Sequence, residues 1–420
     1  MESIGLVTAM ERAWLRELAR RYAACAQLPV MAERTQRWYD HNALQGRQPM
    51  VVMETSPFDG ELLPALKCVS PFARDLETRL LMPLVNHELV DDDKVVPPYL
   101  PVYWKINRRE FDRDFATRRA DDGKGRFIGF LQEHPLQDLE RDLPKLARSV
   151  NRVDREGTLR EKDAAVEILG DLLPVQLENT ALRWRLTPSE KVVRLMGMES
   201  MLVAMLDRPD LMQRLYGFIV DDVLEYVAWQ EREGLLTPNN GNHYAGAGSY
   251  GFTHELPAAG ASGVVRPRDL WANLNSQETV TISPAMFGEM IYPHYHRLAE
   301  AFGLVYYGCC EPVHDIWEAY VGRLPNLRKV SVSAWCDEER MGQYLRGGRV
   351  IYSRKPSPNF VGVGAFDEAA FGAHIARTLR AAQGCHLEII FRDIYTLDGD
   401  ISKPGRAVRV VRRLVEKMWR

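Results

Sequence analysis

The chain has 420 residues, 46% of them hydrophobic and 26% charged, enough to bury a large core in one big domain or two ordinary ones. Its 54 Lys and Arg against 57 Asp and Glu give a formal charge of −3, which argues against a dedicated nucleic-acid binder. No run approaches the roughly 18 apolar residues of a membrane span, and six cysteines, with Cys309 and Cys310 adjacent, suit a reducing compartment better than a disulfide framework.

The opening Met1-Glu2-Ser3-Ile4-Gly5 lacks the basic start and apolar core of a secretory signal, so a cytoplasmic protein is expected. From Met10 to about Asn42, Trp14, Leu15, Leu18 and Tyr22 are interleaved with Arg16, Glu17, Arg20 and Arg21, the pattern of one or two surface helices. Residues 1–45 are therefore expected to be a helical extension, and 46–420 the main domain. Residues 86–130 are rich in charge and proline and read as an irregular insertion, with a short strand at Val102–Ile106. Its Asp91-Asp92-Asp93 run reads as a solvated turn, because successive carboxylates in a turn diverge.

The second half is more regular. A helix is expected from about Asp210 to Glu233 with Gly234 as its stop, and another opening at Ser283-Pro284, with proline at the favoured first position. Then strands and helices alternate: strand 303–307 and helix 312–322, strand 328–332 and helix 337–346, strand 349–353 and helix 367–382, strand 387–391 and helix 404–419. Four successive units of this kind imply a parallel sheet with right-handed crossovers. Earlier candidates at 50–54, 102–106, 175–177 and within 242–250 raise the count to eight, so the α/β class expected is a closed (β/α)8 TIM-type barrel. The rival is a doubly wound open sheet, but none of the four alternating strands is followed by a Gly-x-Gly-x-x-Gly turn.

In such a barrel the chemistry gathers at the C-terminal strand ends. Those positions carry Cys309, Cys310 and Glu311, with His314 and Asp315 behind them; Ser333 and Trp335; Lys355; Arg392 and Asp393; and Glu178. The loop 239–254 adds Asn240, Asn242, His243, Tyr250 and His254. Cys309, Lys355, Asp393 and His243 are the expected catalytic residues, and Trp335, Arg392, Tyr307 and Asn240 the expected substrate contacts. Lys355 would clamp an anion or pair with Asp393, and Arg392 with Asp393 would lock the last loop. Strand alternation sends Cys309 and Cys310 to opposite sides, so only one of them is expected to face the site. No Cys-x-x-Cys or His-Glu-x-x-His spacing exists, so a metal would be held by Cys309 with companions from distant strands, Glu178, His243 or Glu311. His294 and His296 lie two apart on a helix and do not form a ligand pair. His41, His87, His134 and His374 read as surface residues, and Cys385 and His386 stand at the start of their strand, away from the site.

The segment from Ser283 to Tyr295 resembles the Ser-Pro-x-x-Phe-x-Glu-x-x-x-Pro-Tyr stretch of uroporphyrinogen decarboxylase-like proteins, and Tyr307-Gly308-Cys309-Cys310-Glu311-Pro312 resembles a motif of one subgroup. Gly197–Met201 and Leu206–Asp210 look like the helix pair of that superfamily. The resemblance spans roughly 165–420 and implies a (β/α)8 barrel. The Met-Arg-Gln-Ala-Gly-Arg signature of the decarboxylase itself is absent; the first strand ends Val52-Met53-Glu54-Thr55-Ser56-Pro57, with no arginine. The superfamily's other branch implies zinc-dependent methyl transfer between a corrinoid protein and a small methyl donor or thiol. Carried over, Cys309 matches the first zinc cysteine and Glu178 the glutamate, while Tyr307 stands in place of the histidine and Arg392-Asp393 in place of the second cysteine. Because the chain has no Asp-x-His-x-x-Gly signature, the corrinoid is expected on a separate protein. A methyltransferase with zinc and a corrinoid partner is the reading that follows, a second copy of the chain being a further expected partner. The rival is a cofactor-free carboxy-lyase, and a non-catalytic binding subunit is a third class.

Overall fold

Short runs of branched and aromatic residues, buried on both faces, form the strands of a computed structural model that describes residues 7–115, 117–121, 127–258 and 263–419. The reading of residues 1–5 lies outside the described residues, as does part of the 86–130 insertion. Six strands form one parallel sheet: β1 (Met50–Met53), β4 (Trp271–Leu274), β5 (Leu304–Tyr307), β6 (Leu327–Val332), β7 (Ile351–Arg354) and β8 (Leu387–Phe391), in the order β1-β8-β7-β6-β5-β4. Two further strands, β2 (Leu100–Tyr103) and β3 (Val175–Glu178), pair in parallel with each other. The fold is thus α/β with a parallel sheet. Among the described residues no backbone ladder joins β1 to β2 or β3 to β4.

The two free edges of the six-strand sheet are occupied by side chains. At β1, Val51 N donates to Asp93 Oδ2 (2.7 Å) and Met53 N to Asp92 Oδ2 (2.8 Å), while Asp93 N donates to Val51 O (2.9 Å). At β4, the Asn239 amide accepts from Trp271 N (2.9 Å) and donates to Trp271 O (3.0 Å), as a neighbouring strand would. This corrects the reading of the Asp run. Asp92 and Asp93 are fully buried rather than solvated, because two edge amides need acceptors and Arg37 and Arg412 neutralise Asp93.

Alternation along each strand separates two faces. Val51, Met53, Ala272, Leu274, Val305, Tyr307, Val330, Val332, Ile389 and Phe391 pack with the surrounding helices in the main core. The other face carries an unusual load of polar groups, including Asn273, Lys329, Ser331, Ser353, Lys355 and Glu388, all buried. A hairpin, Tyr244–Gly246 with Ser249–Tyr250, presses onto that face. A Cβ at Gly246 would lie 2.5 Å from the Tyr306 ring, and one at Gly248 (φ +86°) would lie 2.5 Å from Ile390, so only glycine allows the approach.

Several expected elements differ. The strand sought within 242–250 is this antiparallel hairpin; the sheet strand is Trp271–Leu274, a four-residue run that the sequence pattern did not reveal. The expected helix 312–322 is a series of turns ending in a 3-10 turn at Val321–Arg323, where Val321 N and Gly322 N reach back five residues instead of four. The other helices match closely: Ala9–Ala26, Pro29–Asn42, Pro209–Arg232, Glu338–Leu345, Glu368–Ala381 and Lys403–Met418, with Thr8, Asp337 and Asp367 as side-chain caps. His41 is not a surface residue: it is fully buried, 3.2 Å from Glu388 Oε2, and His374 is buried as well. No helix among the described residues is long and apolar enough to cross a membrane.

Candidate functional site

A cavity of about 460 Å³ opens where the ladders stop, between the edge strands β1 and β4 on one side and the pair β2 and β3 on the other. The strand ends supply its polar groups: Glu54 after β1, Tyr103 at the end of β2 and Glu178 at the end of β3. The loop before the hairpin brings in His243, whose Nε2 lies 3.3 Å from Glu178 Oε1. Gly241 N donates to His243 Nδ1 (3.3 Å), which leaves Nε2 to donate a hydrogen bond to Glu178. Burial alone would raise the Glu178 carboxyl; the hydrogen bond and charge of His243, helped by the Tyr99 hydroxyl, carry it below its ordinary value instead. Glu178 is therefore an ionised, buried carboxylate. Asn273 lines the same cavity, is 6% exposed, and finds no hydrogen-bond partner for either side-chain polar atom.

A second cluster adjoins the cavity. Arg392 Nε lies 2.9 Å from Glu54 Oε2, its guanidinium stands over the Trp184 ring, and Nη1 reaches the Tyr244 hydroxyl at 3.4 Å. Arg183 lies 3.8 Å from Glu54 and over the Tyr244 ring. The residue after Arg392, Asp393, takes a left-handed conformation (φ +58°) and accepts from Cys310 Sγ at 3.3 Å. Cys310 Sγ is also 3.5 Å from Cys309 Sγ, so the two cysteines turn toward each other. Alternation does not apply to them because β5 ends at Tyr307 and Gly308 (φ +98°) reverses the chain. The hydrogen bond from Cys310 favours the Cys309 thiolate against the cost of burial, with Arg392 helping; the same bond holds the Cys310 thiol well above its usual value.

The expected residues divide among these clusters and the core. His243 and Glu178 meet in the cavity wall. Cys309, Asp393 and Arg392 form the adjoining cluster, but none of them lines the cavity, and Arg392 pairs with Glu54 rather than locking Asp393. Lys355 is buried, donating to Tyr306 OH (2.7 Å) and Ser353 Oγ (2.6 Å); burial pulls its pKa down to about 7, with the charge of Glu388 opposing. It neither pairs with Asp393 nor reaches the cavity. Tyr307 turns to the helix side, where its hydroxyl meets Ser276 Oγ at 2.6 Å. Asn240 donates to the Leu256 carbonyl and pins its own loop. Trp335 is 75% exposed and stands outside the cavity.

The donor set expected for zinc does not fit. Glu311 is buried and accepts Ser276 N (2.9 Å) on one oxygen and Cys309 N (2.8 Å) on the other, Glu178 lies in the wall of a cavity that Cys309 does not line, and Tyr307 faces away. Among the described residues, no three His, Cys, Asp or Glu side chains come together as a metal-holding group. The sequence reading passed over Glu54, Tyr99, Tyr103, Arg183 and Asn273. Glu54 could have been found, since it directly follows the first strand; Tyr99 and Tyr103 lie in the proline-rich stretch read as an excursion.

No protein-family model and no curated protein matches the chain. Among solved structures it is similar to a methyltransferase from Methanosarcina mazei, at 11% identity and a TM-score of 0.47, over 92% of this chain and 99% of that one.

Proposed function

We propose that the protein is a methyltransferase: it holds a small methyl donor in the cavity, inside one (β/α)8 barrel whose eight parallel strands close through the two side-chain seams. The observation that carries the enzyme reading is the Glu178–His243 pair, a charged group and an oriented imidazole in the wall of a cavity of small-molecule size. The choice of methyl transfer rests on the resemblance of the Ser283–Tyr295 and Tyr307–Pro312 segments to the uroporphyrinogen decarboxylase-like superfamily.

In this reading the bond between the methyl carbon and its oxygen or nitrogen breaks. The electron pair stays on the heteroatom, and the carbon bonds to an electron pair of the acceptor. A corrinoid on a separate protein is the proposed acceptor and, when bound, would supply that electron pair. The chain's own part is placement: His243 fixes the Glu178 carboxylate, Glu178 fixes the donor, and the tyrosine-rich wall keeps water from the reacting carbon.

The test uses a panel of N-, O- and S-methyl compounds with deuterated methyl groups, offered together with chemically reduced cobalamin. Appearance of the label in cobalamin and of the demethylated product is expected, with a fall of about 10²-fold for His243→Asn through misplacement of the carboxylate. Loss of carbon dioxide from a carboxylated compound, without methyl transfer, would replace this reading with a carboxy-lyase.

A further inference from the structure

Among the described residues two carboxylates of the cavity wall, Glu178 and Asp59, have no lysine or arginine in ion-pair distance, and of the two Glu178 is the buried one. Glu54 is answered by Arg392, Arg79 by Glu161 and Asp75, and Lys94 by Asp92 and Asn86. No lysine or arginine among the described residues lies within ion-pair distance of Glu178, whose hydrogen bonds come from His243 and Tyr99. A buried carboxylate whose partners are an imidazole and a phenol, with no lysine or arginine beside it, is costly, and a cation in the cavity would offset that cost.

The surroundings specify the kind of cation. Tyr22, Tyr99 and Tyr103 line the cavity together with Glu178, and the Tyr99 hydroxyl is a hydrogen-bond partner of its carboxylate, so three rings share the wall with one carboxylate. Tyr103 keeps 39% of its surface uncovered, which leaves aromatic surface for a ligand. An inorganic divalent ion would need several oxygen ligands, and no three acidic, histidine or cysteine side chains gather among the described residues. Aromatic rings around a carboxylate instead suit a large, weakly hydrated organic ammonium, held by charge and by the ring quadrupoles. The buried Asn273 amide, unpartnered in the same cavity, offers a donor and an acceptor for a polar group elsewhere on the same molecule.

We propose that the Glu178 end of the cavity binds an organic ammonium ion and, resting on the methyl-transfer reading, that the methyl donor is a methylated amine of the tertiary or quaternary ammonium class.

Calorimetric titration of the full chain with choline and with its uncharged carbon isostere, 3,3-dimethylbutan-1-ol, tests the site without any turnover. The cation should bind at least tenfold more tightly than the isostere, and Glu178→Gln should remove most of that preference while circular dichroism shows an intact fold. Tyr103→Leu, which leaves the carboxylate in place, should weaken the cation severalfold. Equal binding of cation and isostere by the unaltered protein, or no saturable binding of choline or tetramethylammonium, would overturn the site. Cation binding without methyl transfer would count against the methyltransferase reading alone. Methyl transfer from ethers without cation binding would count against the site alone.

Discussion

Lys329 Nζ and Glu388 Oε2 meet at 3.0 Å with neither side chain exposed to solvent. The same carboxylate oxygen takes Ser249 Oγ at 2.9 Å and His41 Nε2 at 3.2 Å, so one atom joins β6, β8, the hairpin and the helix Pro29–Asn42. Buried sheet faces are more often filled with branched aliphatic side chains, and on this face of the six-strand sheet a charge network takes their place. Glu388→Gln leaves an uncompensated ammonium and should cost about 3–5 kcal/mol. The double replacement Lys329→Met, Glu388→Leu should recover much of that loss in urea unfolding. Equal losses for the single and double variants would show that the pair is not energetically coupled.

The side-chain seam at β1 predicts a local effect. Asp92→Ala removes the acceptor of Met53 N, which would then be a buried amide without a partner, at a cost of about 1–3 kcal/mol. Hydrogen exchange should rise at Met53 while the Val51 amide, held by Asp93, stays protected. Unchanged exchange at Met53 would mean that the edge finds another acceptor.

Four imidazoles, His41, His294, His374 and His386, are lowered by burial. His294 and His374 are each lowered to about 4. The unfolded chain protonates them near pH 6.5, so it binds protons that the folded chain does not. Stability should therefore be full above that pH and decline as the pH falls from about 6.5 toward 4, before most carboxylates titrate. Urea midpoints recorded across this window should slope less steeply for His374→Gln than for the unaltered protein.

The cysteine pair predicts an order of reactivity. Cys309 should titrate below the ordinary thiol range in thiolate absorbance at 240 nm, and Cys310→Ala should move it upward by removing the hydrogen bond that favours its charged form. Cys309→Ala should in turn lower Cys310. No upward movement of Cys309 in the Cys310→Ala protein would leave Arg392 as the main cause of its acidity.

Asp393 holds a left-handed backbone that Asn also tolerates and that branched residues resist. Asp393→Asn should fold with nearly unchanged stability, whereas Asp393→Val should lose about 1–2 kcal/mol in thermal or urea unfolding.

The repeating half of the chain was legible because its strands are buried runs, and those at Leu327–Val332 and Ile351–Arg354 lead into amphipathic helices capped by Asp337 and Asp367. The four-residue strand Trp271–Leu274 was not, since a run so short, with Asn273 inside it, lacks both period and a β-rich composition. Side-chain surroundings were harder still. Nothing local marks Asp92 as a substitute for a strand partner, or His41 as a ligand of a carboxylate 347 positions away. Of the candidate site, Glu178 and His243 were found from their positions after a strand and in a polar loop. Tyr99 and Tyr103 were missed because the chain reaches them through prolines.

The interruption of the backbone ladders at β1 and β4 also bears on how this cavity can change. Elsewhere in the sheet, backbone hydrogen bonds fix the spacing of neighbouring strands, and a new ligand could be admitted only by altering the few side chains that point inward. At the two seams the strand edges are met by side chains, Asp92 and Asp93 at one and Asn239 at the other, and Asn239 and the residues 94–97 that follow Asp93 line the cavity. Substitutions in the segments carrying them could widen, narrow or recharge the cavity without breaking a strand pairing. Selectivity in this molecule can therefore be retuned along its seams while the six-strand sheet stays as it is.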